Sequence, residues 1–225
     1  MANFGLLRLT VVSPYEPHWR EARSAVGSPE ILQNARESSS LVEAVFDCSF
    51  VIGTGTLTYR KAEQAVLKLN ELAPVVSGRL AHGENIALVF GPEKHGLSRE
   101  DLSLCHVLVE IPTDPIQPSM NLGQAAAVFL YELSARQNTH PPQATLHERQ
   151  DPALPSGKLD ILAGLVEKVM LVAGYSPKNM QAANRHVLRL MLRRLHMNAA
   201  DQRRILGLFR RILWRLQQNN RNVTL

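Results

Sequence analysis

The chain of 225 residues contains no run of about 18 apolar residues, so no membrane-spanning helix is expected. Its start, Met1-Ala2-Asn3-Phe4-Gly5, lacks a basic segment followed by an apolar one, which argues against a secretory leader. Only two cysteines occur, Cys48 and Cys105, at no metal-ligand spacing. They read as buried thiols of a reducing cytoplasm rather than as a disulfide or a metal site. Neither a Gly-x-Gly-x-x-Gly turn nor a Walker loop is present, which weakens any reading as an ordinary nucleotide-binding α/β protein.

Acidic charge is scarce at one end. Residues 1–156 carry 12 Lys/Arg against 17 Asp/Glu, a balance of −5, whereas residues 157–225 carry 13 against 3, a balance of +10. A basic cluster of this kind can neutralise phosphates and steer a polyanion toward the protein. It can equally be the solvated face of packed helices.

The apolar pattern divides the chain. Leu6 to Val12 reads as a buried strand ending at Ser13-Pro14, and helical pieces follow, including Trp19 to Val26. A helix is expected over Ser39 to Cys48 and a short strand over Phe50-Val51-Ile52, running into Gly53-Thr54-Gly55-Thr56. Arg60 to Ala73 has helical spacing, and Asn85 to Phe90 is a buried strand. Ser98 is a plausible cap for a short helix to Cys105, with Asp101 three residues on. Val107 to Ile111 is a strand, and Asn121 to Gln137 a helix rich in alanine. Strands separated by helices predict a mainly parallel sheet with helices on both faces. The four prolines within residues 138–157 mark a linker. Helices are then expected over Lys158 to Ala173, Asn179 to His196 and Ala199 to Asn219, with Ile205, Leu208, Phe209, Ile212 and Leu216 as one apolar stripe. Three parts result: 1–138, a linker at 139–157, and basic helices over 158–225.

Two segments carry chemistry. In Leu88-Val89-Phe90-Gly91-Pro92-Glu93-Lys94-His95-Gly96-Leu97 a buried strand ends in two glycines five apart with a carboxylate between them. Gly91 lets the backbone approach a ligand, and Gly96 allows a sharp turn. In Ile111-Pro112-Thr113-Asp114-Pro115-Ile116-Gln117-Pro118-Ser119-Met120-Asn121-Leu122 a strand gives way to a proline-stiffened loop, with Ser119 and Asn121 at the mouth of a helix. Helix capping explains one of those two polar residues, not both. Both loops follow strand ends, where open α/β sheets bind ligands.

Together, Val-Phe-Gly-x-Glu-x-x-Gly-Leu-Ser, Ile-Pro and Ser-x-Asn-Leu, in this order and spacing, resemble the SpoU/TrmH family of the SPOUT class, RNA ribose 2′-O-methyltransferases that use S-adenosyl-L-methionine (AdoMet). The likeness extends weakly to Met1–Leu6 and to Asp47–Gly55, and the linker and basic helices are similar to the branch that methylates the first nucleotide of the tRNA anticodon loop. The resemblance implies an α/β fold, a SPOUT-type trefoil-knotted parallel sheet flanked by helices, plus a small C-terminal α-helical domain. It implies an AdoMet pocket contacted by Thr54, Gly55, Thr56, Gly91, Ile111, Pro118, Ser119 and Met120, active-site positions at Glu93, Ser119 and Asn121, and a homodimer with the site near its interface. RNA, tRNA foremost, is the implied partner, with no metal and a cytoplasmic setting. A catalytically impaired AdoMet- or RNA-binding protein and an rRNA enzyme are the alternatives.

Arg189, Arg193, Arg210 and Arg211 on the basic helices are expected to extend the RNA contact; the alternative is that those helices pack on the rest and keep their arginines in water. His95 and His106 read as surface or loop histidines rather than acid–base groups, and Trp19 and Trp214 as packing residues. The chain departs from the family at its first motif, an Asn, a Gly and, a few residues on, Ala-Arg after a central first strand. Asn34-Ala35-Arg36 looks like it but lies downstream of the second strand. Without the first strand its two neighbours would have open edges. A start assigned too late is the preferred explanation, predicting an upstream strand with the Asn-x-Gly…Ala-Arg motif; a real truncation is the other.

Overall fold

The computed structural model describes residues 1–14, 19–21, 27–56, 62–137 and 153–223. In chain order these form β1 (Thr10–Val12), α1 (Pro29–Gln33), β2 (Arg36–Ser38), α2 (Leu41–Ala44), β3 (Phe50–Thr54), β4 (Ala65–Lys68), α3 (Leu69–Ala81), β5 (Ile86–Val89), α4 (Arg99–Ser103), β6 (Val107–Glu110), α5 (Leu122–Gln137), α6 (Ser156–Val172), α7 (Gln181–Arg194) and α8 (Ala199–Val223). No helix among the described residues is long and apolar enough to cross a membrane.

Four strands form one parallel sheet in the order β4-β6-β3-β5. All five residues of β3 are buried, as expected of a strand covered on both faces. Alternation sorts its side chains. Phe50 and Ile52 face Leu72, Val76, Phe129 and Leu133 of α3 and α5, whereas Val51 joins Val45, Leu97, Cys105 and Leu108 on the other face. Gly53 has no room for a side chain, since a Cβ there would lie 2.7 Å from the Cys105 sulfur. Ser98 and Asp101 cap α4 reciprocally: Ser98 Oγ accepts from Asp101 N at 3.1 Å, and Asp101 accepts from Ser98 N at 2.9 Å.

Several expectations change. The predicted strand over Leu6 to Val12 shortens to Thr10–Val12, pairs among the described residues only with β2 in a separate two-stranded parallel sheet, and leaves Leu7 65% exposed. The all-apolar β5 pairs only with β3 among the described residues and is half-buried throughout. The sheet is thus split in two, with a core-type strand left at an edge, a position that sheets otherwise protect. The helical spacing read over Arg60 to Ala73 hides β4, whose pairing with β6 overrides the helix preference of Ala65 and Leu67. Residues 15–18, 22–26, 57–61 and 138–152, on which part of the predicted helix at 19–26 and most of the linker fall, lie outside the described residues.

Helices α6, α7 and α8 enclose their own cluster of Leu154, Leu159, Leu162, Leu188, Leu192 and Met197, joined by Ile205 and Leu206. Leu208, expected in the apolar stripe of α8, is 58% exposed. Gly174 follows α6 at φ 71, the left-handed geometry of a helix stop, and Asn198 Oδ1 accepts from Asp201 N at 2.8 Å, capping α8. Ser156 and Gly157, read as linker, start α6 instead. Their amides donate to the carbonyls of Cys48 and Phe46 at 2.8 and 3.0 Å, and Gly157 lies so close to the Phe46 ring that a Cβ would approach it to 2.1 Å.

Candidate functional site

Parallel strands place their carboxyl ends together, so the segments after β3, β5 and β6 emerge on one side of the sheet. The segment after β3 is fastened to both others. Thr54 Oγ1 donates to the carbonyl of Val89 at 2.9 Å, and Thr56 Oγ1 to that of Pro118 at 3.1 Å. Thr113 Oγ1 donates to the same Pro118 carbonyl at 3.1 Å. Sequence reasoning missed Thr113; its only signal was a hydroxyl two residues after the strand end.

The two loops singled out in the sequence meet. Asn121 Nδ2 donates to Glu93 Oε1 at 3.0 Å, and the amide of Leu122 points at the same oxygen at 3.4 Å. Asn121 also caps α5, its Oδ1 accepting from the amides of Gly123 and Gln124 at 2.9 and 3.3 Å. One side chain therefore serves as helix cap and as link between loops, and Glu93 sits at the N-terminus of α5, where the helix dipole favours a carboxylate.

Gly91 and Gly96 shape the first loop. The amide of Gly96 donates to Pro92 O at 2.7 Å, and Gly96 has φ 64. A Cβ on Gly91 would lie 2.2 Å from the backbone of Gly96 and Leu97, so the loop closes on itself only with glycine at 91. Glu93, Ser119, Met120, Asn121 and Gly55 are exposed, Gly91, Ile111, Pro118 and Thr56 are half-buried, and Thr54 is buried. Ile111 also packs against the core below. The result is a set of three strand-end segments tied together by Thr54, Thr56 and Asn121, with the carboxylate of Glu93 exposed at their junction.

The histidine and cysteine readings are sharpened. Cys48 and Cys105 are both free thiols. Burial pushes the Cys105 thiol up to about 12, so it stays protonated and unreactive. His106 lies in the bend between α4 and β6, half-buried, and its Nδ1 accepts from the amide of Val51 at 3.1 Å. Burial, then the charges of Arg193, Arg79 and His196, press its pKa down to about 3. That downward shift, with Nδ1 engaged by Val51, agrees with a structural rather than an acid–base histidine.

The arginines separate. Arg210 and Arg211 are exposed on α8, as are Arg203, Arg204 and Arg215. Arg211 covers the ring of Trp214 at 4.3 Å, and Trp214 is 43% exposed rather than packed inside. Arg193, expected at the RNA, is only 4% exposed; it donates to Leu104 O at 3.0 Å and faces Asp160 at 3.3 Å. Arg189 pairs with Asp160 and Glu100, both at 3.4 Å, with a side chain 12% exposed. Both face carboxylates of the protein itself, and the burial of Arg193 corrects its assignment. Asn34-Ala35-Arg36 is structural as well: Ala35 is buried, and Arg36 donates to Glu43 O at 3.0 Å from β2.

Comparison with known proteins agrees with this geometry. Residues 1–131 match the SpoU rRNA Methylase family. The chain is 38% identical over 134 residues to the tRNA (cytidine/uridine/adenosine-2′-O-)-methyltransferase TrmJ of Pseudomonas aeruginosa, an alignment covering 59% of this chain and 52% of that protein. The chain thus spans about half the length of that relative. It is 29% identical over 229 residues to the tRNA (cytidine/uridine-2′-O-)-methyltransferase TrmJ of Escherichia coli K12, covering 98% of this chain and 88% of that one. The crystal structure of TrmJ from Z. mobilis ZM4 superposes with a TM-score of 0.78 at 26% identity, over 94% of this chain and 89% of the other. With well over half its length matched to the family and its strand-end loops joined through Glu93 and Asn121, this chain belongs to the SpoU methylase family.

Proposed function

We propose that the protein transfers a methyl group from AdoMet to a ribose 2′-hydroxyl of tRNA, in the anticodon loop. The hydrogen bond between Glu93 and Asn121 carries the reading, because it joins the two family motifs directly. The exposed carboxylate of Glu93 at that junction suits a cationic sulfonium, which supports AdoMet as the methyl donor. Thr54, Gly55, Thr56, Gly91, Ile111, Pro118, Ser119 and Met120 would hold AdoMet, which when bound supplies an activated methyl group.

Glu93, Ser119 and Asn121 would meet the ribose. A 2′-hydroxyl is a weak nucleophile, so alignment supplies much of the acceleration. Glu93 is the carboxylate placed to accept the hydroxyl proton as the oxygen is alkylated, and Asn121, held by the α5 terminus, keeps Glu93 in place.

The division into a methyltransferase domain over 1–138, a linker over 139–157 and a basic helical domain over 158–225 belongs to the same reading, with the separate core of α6–α8 in its support. The exposed Arg210 and Arg211 support an RNA contact on α8. A homodimer and a cytoplasmic setting belong to the same reading, and the exposure of Ile116 (92%) and Met120 (38%) in the loop after β6 supports the dimer.

The test is incorporation of labelled methyl from AdoMet into transcribed tRNA, with this chain and with a version extended by the family's first motif. Label at a single ribose of the anticodon loop is expected. Uptake of AdoMet and tRNA without transfer by either version would establish a binding protein instead, and label confined to rRNA would move the substrate.

A further inference from the structure

Helix α8 has two distinct faces. Ile205, Phe209, Ile212 and Leu216, spaced by four, three and four residues, are half-buried. Ile205 and Leu206 join Leu159 and Leu162 of α6 in the helical core. With that apolar face already packed, α8 has none left to enter a lipid surface. The opposite face carries the five exposed arginines, exposed Gly207 and Trp214.

Trp214 is the residue that this face does not explain. A tryptophan gains most by burying its ring, yet this one is 43% exposed among guanidinium groups. Arg211 lies 4.3 Å from the ring centroid and covers one side of it. That contact orients Arg211 and still leaves indole surface in water.

The helix beside the ring is bare. Gly207, Arg211 and Trp214 lie along one line, at spacings of four and three residues. Helical side chains lean toward the N-terminus, so the ring lies over the turn of Arg210 and Arg211, with Gly207 ahead of it. A Cβ on Gly207 would meet nothing within 4 Å, so no packing excludes a side chain there. Glycine weakens a helix interior. What it provides at this position is open space next to an aromatic ring.

We infer that Trp214, with Arg211 on its ring and Gly207 ahead of it, is a stacking platform for an unpaired nucleobase of RNA, and that the flanking arginines take the neighbouring phosphates. The platform presupposes the RNA contact proposed above for α8 and gives it a preference that charge alone lacks. Every base presents a flat π-face to an aromatic ring, and the planar guanidinium stacks as well as pairs with phosphate. A duplex keeps its bases stacked inside, so such a platform selects loops and single strands.

The experiment measures binding of the full chain to an RNA stem–loop and to a blunt RNA duplex of the same length, across a salt series. Trp214→Leu should weaken the stem–loop about tenfold, as expected for one lost base–aromatic stack, and the duplex by no more than about twofold. The salt slope should stay the same for both, because no charge is removed. Trp214→Tyr, which keeps a ring, should recover most of the stem–loop affinity. Trp19→Phe leaves Trp214 as the sole tryptophan, and there the stem–loop should quench indole fluorescence while the duplex should not. Circular dichroism verifies folding, and the quenching decides if Trp214→Leu does not fold. Equal losses on both RNAs would mean that Trp214 only holds Arg211 in place. That result, unchanged stem–loop affinity or absence of quenching would overturn the platform and leave the RNA contact of α8 standing. Failure of the unaltered chain to bind either RNA would overturn both.

Discussion

Helices α7 and α8 are both rich in arginine, yet they use it in opposite ways. On α7, Arg189 and Arg193 turn inward, and Asp160 of α6, Glu100 and the Leu104 carbonyl of α4 receive them. On α8, Arg203, Arg204, Arg210, Arg211 and Arg215 stay in water. Net charge treats the two helices alike. What separates them is the few internal carboxylates: residues 157–225 have three acidic residues, and Asp160 and Glu167 both engage α7, Glu167 through Arg185 at 2.9 Å. A basic residue opposite a carboxylate is part of the fold, and one without such a partner is available to a phosphate.

The sharpest way to break this comparison is to truncate one arginine of each kind. Arg193→Ala leaves Asp160 without its closest guanidinium and Leu104 O without its donor. Loss of one member of a buried ion pair typically costs about 3–5 kcal/mol. Urea denaturation should show that loss as a lower midpoint at unchanged slope. A cost below about 1 kcal/mol, the range of exposed pairs, would mean that Arg193 is no anchor.

A smaller effect, of another kind, is expected on α8. Replacing Arg210 and Arg211 together by Ala should change stability by no more than about 1 kcal/mol, mostly from the lost stacking of Arg211 on Trp214. The tRNA affinity should fall and its salt slope should flatten by about two if each arginine neutralises one phosphate. Filter binding across a salt series reads both. Unchanged affinity and slope would leave α8 as a solvated face and remove the support for an RNA contact there.

The same contrast explains what could be read in advance. The Ser98–Asp101 cap, β5, β6, α5 and the three last helices follow from local pattern, because caps and periodicity act within a few residues. The link between Glu93 and Asn121 was legible only because both lie in motifs of one family, since a span of 28 residues carries no local signal. Strand β4 was hidden: Ala-Val-Leu-Lys suits a helix as well as a strand, and β6 decides it from about forty residues away. Arg193 was misplaced for a similar reason, its partners being contributed by α6 and by the end of α4. The predicted long strand at Leu6 to Val12 shortened because, among the described residues, it has only the three-residue β2 to pair with.

The smallest expected effect lets the inward charge of α7 be read from the bend that leads into β6. His106 is held neutral, with a pKa of about 3 against an ordinary 6.5, by burial first and by Arg193 next. Between those two values the unfolded chain binds a proton that the folded chain refuses, so stability falls as pH is lowered from about 6.5 toward 3, with no contribution from this group above that window. Melting temperature followed over that range should therefore fall less steeply in His106→Gln than in the parent, whose carboxylates are otherwise the same. Removing the charge of Arg193 without shortening the side chain, as Arg193→Met, should let the imidazole pKa rise, which proton NMR of the ring can follow. Arg211→Met should leave it where it is, because Arg211 is not among the charges acting on His106. An equal shift in both variants would show that the ring senses only the overall charge of the helices, and the distinction between inward and outward arginines would lose its electrostatic basis.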